Sequence, residues 1–157
     1  MSEWRKDMSL AWWQMDVHEF HRALGLGIGN YERPAMQNGQ LRANLVLEEA
    51  IEFCESVVGT TKAVLMLLLW ANKLMDKNKP HPGGDLVGAV DAIADELVVC
   101  LGSAVEFGVD IKPIFKAVMD SNMAKSGGVK DENGKLQKPA GWKPPDIEGE
   151  LKKQGWG

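Results

Sequence analysis

The sequence predicts an all-α protein: a helical bundle of about five helices with an irregular C-terminal tail. Apolar residues recur at helical spacing through most of the region 9–124, and no segment shows the alternation of a strand. Glycines and prolines separate the helical segments. A length of 157 residues corresponds to about one domain. We therefore expect a single domain, 1–157, with a helical core at about 9–124 and a lysine-rich tail at about 125–157, which we expect to become ordered against another surface or subunit.

Each predicted helix ends at a residue that stops helices or begins after one that starts them. The predicted helices are, in chain order, 9–24, 41–58, 61–77, 85–107 and 112–123. Gly25, Gly59 and Gly108 stop the first, second and fourth of these helices. Thr60 or Thr61 is expected to cap the third. Pro113 falls in the first turn of the fifth, where proline is tolerated.

The centre of the third predicted helix, residues 63–71, is apolar on every side. Nine apolar residues are too few for a membrane span, which needs roughly 20. The segment is therefore expected to be a buried helix or a subunit interface, and no membrane partner is expected. Because so apolar a helix is hard to bury in one small bundle, we expect a homodimer or homotetramer, with dimerisation completing the bundle.

Composition narrows the classes of function. The net charge of −4 gives no support for a nucleic-acid partner. The polar residues after Trp4 interrupt the N-terminus before any apolar run, so no secretory signal is expected and the predicted location is cytoplasmic. Cys54 and Cys100 both fall in apolar helical patterns, which favours buried thiols over a disulfide or a metal pair.

Two clusters of carboxylates continue apolar helical rows. Glu48, Glu52 and Glu55 share one face of the second predicted helix, and Asp91 and Asp95 share one face of the fourth. Carboxylates in a packing row are half-buried and repel one another unless a cation offsets the charge. Oxygen ligands suit Mg²⁺, with Mn²⁺ as a possible substitute. The pattern predicts a divalent metal site between helices; the alternative is a solvated acidic face.

Several short motifs occur in one order along the chain. They are Phe20-His21-Arg22-Ala23-Leu24-Gly25, Arg42 followed by Glu48-Glu49-x-x-Glu52, the acidic pair of the fourth helix, Gly108-Val109-Asp110, Ser121-Asn122-Met123-Ala124-Lys125, Asn133-Gly134-Lys135, Lys138-Pro139 and Pro144-Pro145-Asp146. The ordered set resembles the all-α nucleoside triphosphate pyrophosphohydrolases of the MazG-like superfamily, in their phosphoribosyl-ATP-pyrophosphohydrolase-like branch, over about residues 17–151.

The resemblance implies hydrolysis of a nucleoside triphosphate, (d)NTP plus water to (d)NMP plus pyrophosphate. In such a reaction Mg²⁺ neutralises phosphate charge and lowers the pKa of the water that attacks the α-phosphorus. The metal ligands are then Glu48, Glu52, Asp91 and Asp95. Glu49 and Glu52 are assigned to catalysis, with Glu49 either as the general base or as a support for the ligands.

The resemblance also implies groups that bind the triphosphate. Asn122 and Lys125 occupy the family's SNMxK positions and are predicted to contact it. Lys138 and Arg42 are further substrate-binding candidates, although Arg42 could equally be a structural ion-pair partner. Trp142 either stacks on a base or anchors the tail by packing.

One departure from the family pattern supports a different class of function. The family's second acidic helix carries ExxD; if Glu96 were its glutamate, Val99 would stand at the aspartate position and could not bind metal. This favours the alternative hypothesis, a nucleotide- or metal-binding helical module without turnover.

Overall fold

The computed structural model describes residues 11–76, 81–126 and 138–157, and these residues contain six α-helices and no strand. The helices are α1 (Trp12–Ala23), α2 (Gly39–Val58), α3 (Thr60–Met75), α4 (Leu86–Glu106), α5 (Ile111–Met123) and α6 (Ile147–Lys153). The predicted all-α class is confirmed, and α1 to α5 correspond to the five predicted helices. The predicted ends at residues 9 and 77 and the motif at 133–135 lie outside the described residues.

The chain divides into two compact units. One comprises Met1–Asn30 with Asp91–Gly157, and the other comprises Tyr31–Val90. The first unit contains α1, most of α4, α5 and α6, and the second contains α2, α3 and the start of α4. The single domain expected from the chain length stays a prediction.

In the first unit, α5 packs against both α1 and α6. Ile114 and Met119 of α5 and Leu24, just after α1, are buried. Trp12 of α1 meets Phe115 of α5 edge to face, with ring centroids 5.7 Å apart. These apolar contacts provide the hydrophobic stabilisation that holds the first unit together.

The expected irregular tail contains a helix, so that part of the prediction was wrong. Asp146 starts α6 by accepting a hydrogen bond from the Gly149 amide (2.9 Å). Glutamates in the first turn and lysines in the last complement the helix dipole. A helix of seven residues is too short to show apolar periodicity, so only these end signals could have revealed it. The tail is also ordered against its own chain, because α6 packs on α5.

In the second unit, α2 and α3 form a helical hairpin joined by Gly59 alone. Gly59 has φ +81° and ψ 156°, a backbone conformation that is almost restricted to glycine. The threonine cap was wrongly predicted, since Gly59 is the N-cap of α3. The Thr60 hydroxyl instead donates to the Glu55 carboxylate across the junction, at 2.5 Å.

Of the two alternatives for α3, burial within the chain is not found, and the subunit interface stays a prediction; the expected burial of the two thiols is not found either. Ala63 is the only buried residue of α3, whereas Leu69 is 62% exposed and Leu74 63% exposed. Cys100 is exposed and Cys54 is half-buried. A single neighbouring helix can cover only one side of α3, so apolar side chains on the other sides remain at the surface.

The search for membrane spans in the described residues found no helix with both the length and the apolar character needed to cross a bilayer.

Candidate active site

The first carboxylate cluster lies in the middle of the 20-residue helix α2. Spacings of three and four residues place Glu48, Glu52 and Glu55 along one face, and Glu49 lies about 100° around the helix from Glu48. All four side chains are exposed, which differs from the half-burial predicted for Glu48, Glu52 and Glu55. In the second unit α2 packs on α3, and this packing leaves the glutamates exposed.

The second carboxylate cluster, Asp91 and Asp95, lies one turn apart on α4. Both are exposed, which again differs from the predicted half-burial. The valines of the same row are exposed too, Val87 to 82% and Val105 to 78%, so the row that was expected to pack does not do so within the isolated chain.

An aspartate also sets where α4 begins. Asp85 accepts a hydrogen bond from the Gly88 amide at 3.0 Å, and this bond is the main cause of the lowered pKa of Asp85. The cap satisfies a backbone donor at the helix start. The cap therefore sets the start of α4. Asp91 and Asp95 lie on this helix, about one and a half and three turns after Asp85.

The donor chemistry of the two clusters fits a hard divalent cation. They offer only carboxylate oxygens, and none of the ion pairs between described residues uses Glu49, Glu52, Asp91 or Asp95. The glutamates belong to the second unit and the aspartates to the first. Among the described residues, no three His, Cys, Asp or Glu side chains are grouped so that they could hold a metal ion.

A cationic cluster lies at the C-terminal end of α5, in the first unit. The Lys125 ammonium donates to Asn122 Oδ1 at 2.7 Å, in a part-buried position. Lys138 Nζ lies 4.4 Å from the centre of the Trp142 ring and Lys125 Nζ lies 5.6 Å from it. The structure thus brings together Asn122, Lys125 and Lys138, three of the four residues predicted to bind phosphate.

Two reciprocal hydrogen bonds attach the tail to α5 at this cluster. The Trp142 indole N–H donates to the Ser121 carbonyl at 2.9 Å, and the Ser121 hydroxyl donates to the Lys143 carbonyl at 3.0 Å. Trp142 therefore serves as the packing anchor that was one of its two predicted roles. Sequence reasoning did not assign Ser121, although it belongs to the same Ser-Asn-Met motif.

Arg42, the fourth predicted phosphate ligand, lies in the first turns of α2 and so in the second unit. Its side chain is exposed. It takes part in none of the ion pairs between described residues, so the structural ion pair considered for it is not observed there.

Two cavities formed by the described residues contain none of the predicted site residues. One, of about 270 Å³, lies between α1 and α5 and is lined by Asp16, Glu19, Lys116, Met119, Asp120 and Met123. Lys116 Nζ is 2.8 Å from Asp120, and that hydrogen bond raises the pKa of Lys116. The other, of about 490 Å³, is lined by the glycine-rich segment 81–88 together with Met36 and Ala89.

The all-α fold and the two acidic helices agree with the sequence resemblance to nucleoside triphosphate pyrophosphohydrolases. A crystal structure of a protein from Exiguobacterium sp. 255-15, provisionally assigned as an NTP pyrophosphohydrolase, is similar to this chain. The TM-score is 0.73, and the sequences are 30% identical over 92% of this chain and 96% of that one. No curated protein matches the chain.

The family model described as phosphoribosyl-ATP pyrophosphohydrolase matches residues 17–122. The chain belongs to this family, within the MazG-like NTP pyrophosphohydrolase superfamily. The matched region contains both carboxylate clusters and Asn122, and ends before Lys125. Family and structural neighbour together support a hydrolase that acts on nucleoside triphosphates.

Proposed function

We propose that the protein is a Mg²⁺-dependent nucleoside triphosphate pyrophosphohydrolase that converts (d)NTP and water to (d)NMP and pyrophosphate. One observation carries the proposal beyond the family match. Glu49, Glu52, Asp91 and Asp95 lie in the matched region, are exposed, and are used by none of the ion pairs between described residues. Carboxylates kept out of structural ion pairs are available for a metal and a substrate.

The residues that would hold the metal are Glu48, Glu52, Asp91 and Asp95, and Mn²⁺ could replace Mg²⁺. A cation held there supplies charge neutralisation at the phosphate oxygens and acidifies the attacking water. Glu49 points away from the ligand row by about 100°. It is therefore suited to accept the proton of the water as the water attacks the α-phosphorus.

Binding and orientation of the triphosphate fall to cations and amide donors. Asn122 and Lys125 are already joined at 2.7 Å, so this hydrogen bond holds the lysine ammonium beside the amide. Lys138 and Arg42 complete the proposed substrate-binding set. Fixed positive charge at the phosphates stabilises the charge that develops on the leaving group.

We further propose a homodimer or homotetramer located in the cytoplasm. The exposed apolar residues of α3 and α4 support the assembly, because a second copy would cover them.

The experiment that tests the function is product analysis with a panel of dNTPs and NTPs. We expect monophosphate and pyrophosphate with Mg²⁺ or Mn²⁺ and no product with EDTA. Diphosphate with orthophosphate would contradict attack at the α-phosphorus. The same panel ranks the bases and sugars.

Exchange of a single carboxylate separates an enzyme from a binding module. We expect Glu52→Gln to lower kcat by about 10²–10³-fold, because the variant keeps the shape of the side chain but loses the charge that binds the cation. Glu106→Gln, an exposed glutamate at the end of α4, is the matched control and should retain activity. Equal turnover by Glu52→Gln and wild type would show that Glu52 is not part of the active site.

The second candidate function is a nucleotide- or metal-binding module without turnover. Val99 on α4 favours it: if Glu96 were the glutamate of the family's ExxD, Val99 would stand at the aspartate position and could not provide a ligand. In that case the wild type binds nucleotide without releasing product, and Glu52→Gln changes affinity alone.

A further inference from the structure

The indole of Trp142 makes two kinds of contact, and only one of them is needed to hold the tail in place. Its N–H donates to the Ser121 carbonyl (2.9 Å), and this bond joins the tail to α5. Its ring lies against two ammonium groups, those of Lys138 at 4.4 Å and Lys125 at 5.6 Å from the ring centre. The anchoring role explains the first contact but not the second.

A tight turn brings Lys138 to the ring. The Trp142 amide donates to the Pro139 carbonyl at 3.1 Å, and Gly141 within the turn has φ +81°. A left-handed backbone at this position favours glycine. The turn reverses the chain between residues 139 and 142. Lys138, which precedes the turn, therefore lies against the indole of Trp142, which ends it.

The negative face of the indole attracts both ammonium groups and offsets part of the repulsion between them. Lys138 takes part in none of the ion pairs between described residues. Asn122 adds an amide that already holds Lys125. Two ammonium groups and an amide form a suitable site for a polyanion whose charge is spread over adjacent phosphate groups.

We propose that Trp142 is a positioning residue that holds Lys138 beside Lys125 and Asn122, and that these three groups bind the pyrophosphate end of the substrate. The β- and γ-phosphates would occupy the site before cleavage, and inorganic pyrophosphate after it. The inference rests on the proposed function for the identity of the ligand. The contacts that carry it lie within the first unit alone.

Titration calorimetry of the full chain with inorganic pyrophosphate in EDTA tests the site, since no metal then contributes to binding. We expect wild type to bind pyrophosphate, and Trp142→Leu and Lys138→Gln each to weaken it by roughly tenfold. Trp142→Phe keeps a ring for the ammonium groups but loses the bond to Ser121. It should bind pyrophosphate within about threefold of wild type while unfolding at a lower temperature.

Lys143→Gln is the matched control, because it removes one charge from a neighbouring exposed lysine that has no contact with the ring. It should leave pyrophosphate affinity within about twofold. With an NTP substrate, Trp142→Leu and Lys138→Gln should raise KM more than they lower kcat, as expected for lost binding of the phosphates.

The inference is overturned if folded Trp142→Leu binds pyrophosphate as wild type does, which would leave Trp142 as an anchor only. If Trp142→Leu does not fold, Lys138→Gln decides by the same criterion. Wild-type protein that fails to bind pyrophosphate also overturns the inference, whatever its turnover. If the wild type binds pyrophosphate but hydrolyses no NTP, the proposed function is contradicted and the pyrophosphate site is supported.

Discussion

Aspartates in this chain have two different roles, and position relative to a helix start separates them. Asp85, Asp110 and Asp146 each accept a backbone N–H at the start of a helix. Asp91 and Asp95 lie inside α4, where no backbone donor is free to bind them. An aspartate at a helix start is thus explained by capping, whereas the interior pair remains available for a cation.

Asp110, the N-cap of α5, is expected to be more sensitive to substitution than Asp120, which lies within the same helix. Its carboxylate accepts from the Lys112 amide at 3.0 Å, so Asp110→Ala should lower the free energy of unfolding by about 1 kcal/mol. Asp110→Ser keeps a capping oxygen and should therefore lower the free energy of unfolding by less than Asp110→Ala does. Asp120→Ala, which removes an exposed pair with Lys116, should cost less. Urea denaturation measures all three; equal losses for Asp110→Ala and Asp120→Ala would contradict the cap.

At the scale of elements, the packed pairs α2–α3 and α5–α6 are joined in different ways. The α2–α3 hairpin depends on one glycine, whereas α5 and α6 are joined by a side chain that binds backbone groups far away in sequence. Gln154 donates to the Asp110 carbonyl at 3.0 Å and accepts from the Asp110 amide at 2.7 Å. This reciprocal pair fixes the end of the tail at the start of α5, while Trp142 fixes its beginning at the other end.

Gly59 is expected to tolerate no side chain. Because φ +81° with ψ 156° is strained for any other residue, Gly59→Ala should destabilise the hairpin by about 1–3 kcal/mol. The space around a Cβ is open there, so the cost comes from the backbone alone. Gly102→Ala is the control, since Gly102 lies inside α4 with open space and should gain about 0.5–1 kcal/mol. Thermal unfolding measures the stability of both variants. If both are less stable than wild type, the loss in Gly59→Ala does not come from the positive φ of Gly59.

At the scale of the whole molecule, most of the apolar surface of α3 and α4 lies uncovered. Of these two helices, α4 carries Asp91 and Asp95, and α3 packs against α2, which carries the predicted glutamates. Burial of such surface is the main driving force of association. Assembly and active-site formation are for this reason expected to be coupled.

Leu69→Glu should convert the assembly to monomer, because it places a charge on an exposed apolar position of α3. Lys62→Glu, at an exposed polar position of the same helix, is the control and should leave the mass unchanged. Multi-angle light scattering at micromolar concentration should give wild type at two or four times the chain mass of 17.3 kDa. Wild type at the mass of one chain would contradict the oligomer. If Leu69→Glu is also inactive while folded, activity depends on assembly.

Periodicity was sufficient for α1 to α5 because each contains several turns, and the positive-φ glycines Gly25, Gly59 and Gly108 marked their ends. It failed for α6, whose seven residues make barely two turns. For the candidate site, motif order placed Asn122, Lys125 and Lys138 in one set before any distance was known. Burial was predicted wrongly for Cys100, and for α3 the expected subunit interface stays a prediction, because a sequence pattern shows which residues avoid water but not which neighbour covers them.

The sequence by itself determined the helical class, the glycines that end three helices and the two acidic faces, since these depend on spacing within short stretches of chain. Only the tertiary structure decided that Trp142 joins the tail to Ser121 and lies against Lys125 and Lys138. Residues 121 and 142 are brought together by a turn, two hydrogen bonds and the packing of α6 on α5. Such long-range contacts depend on how the elements dock, which local spacing does not encode.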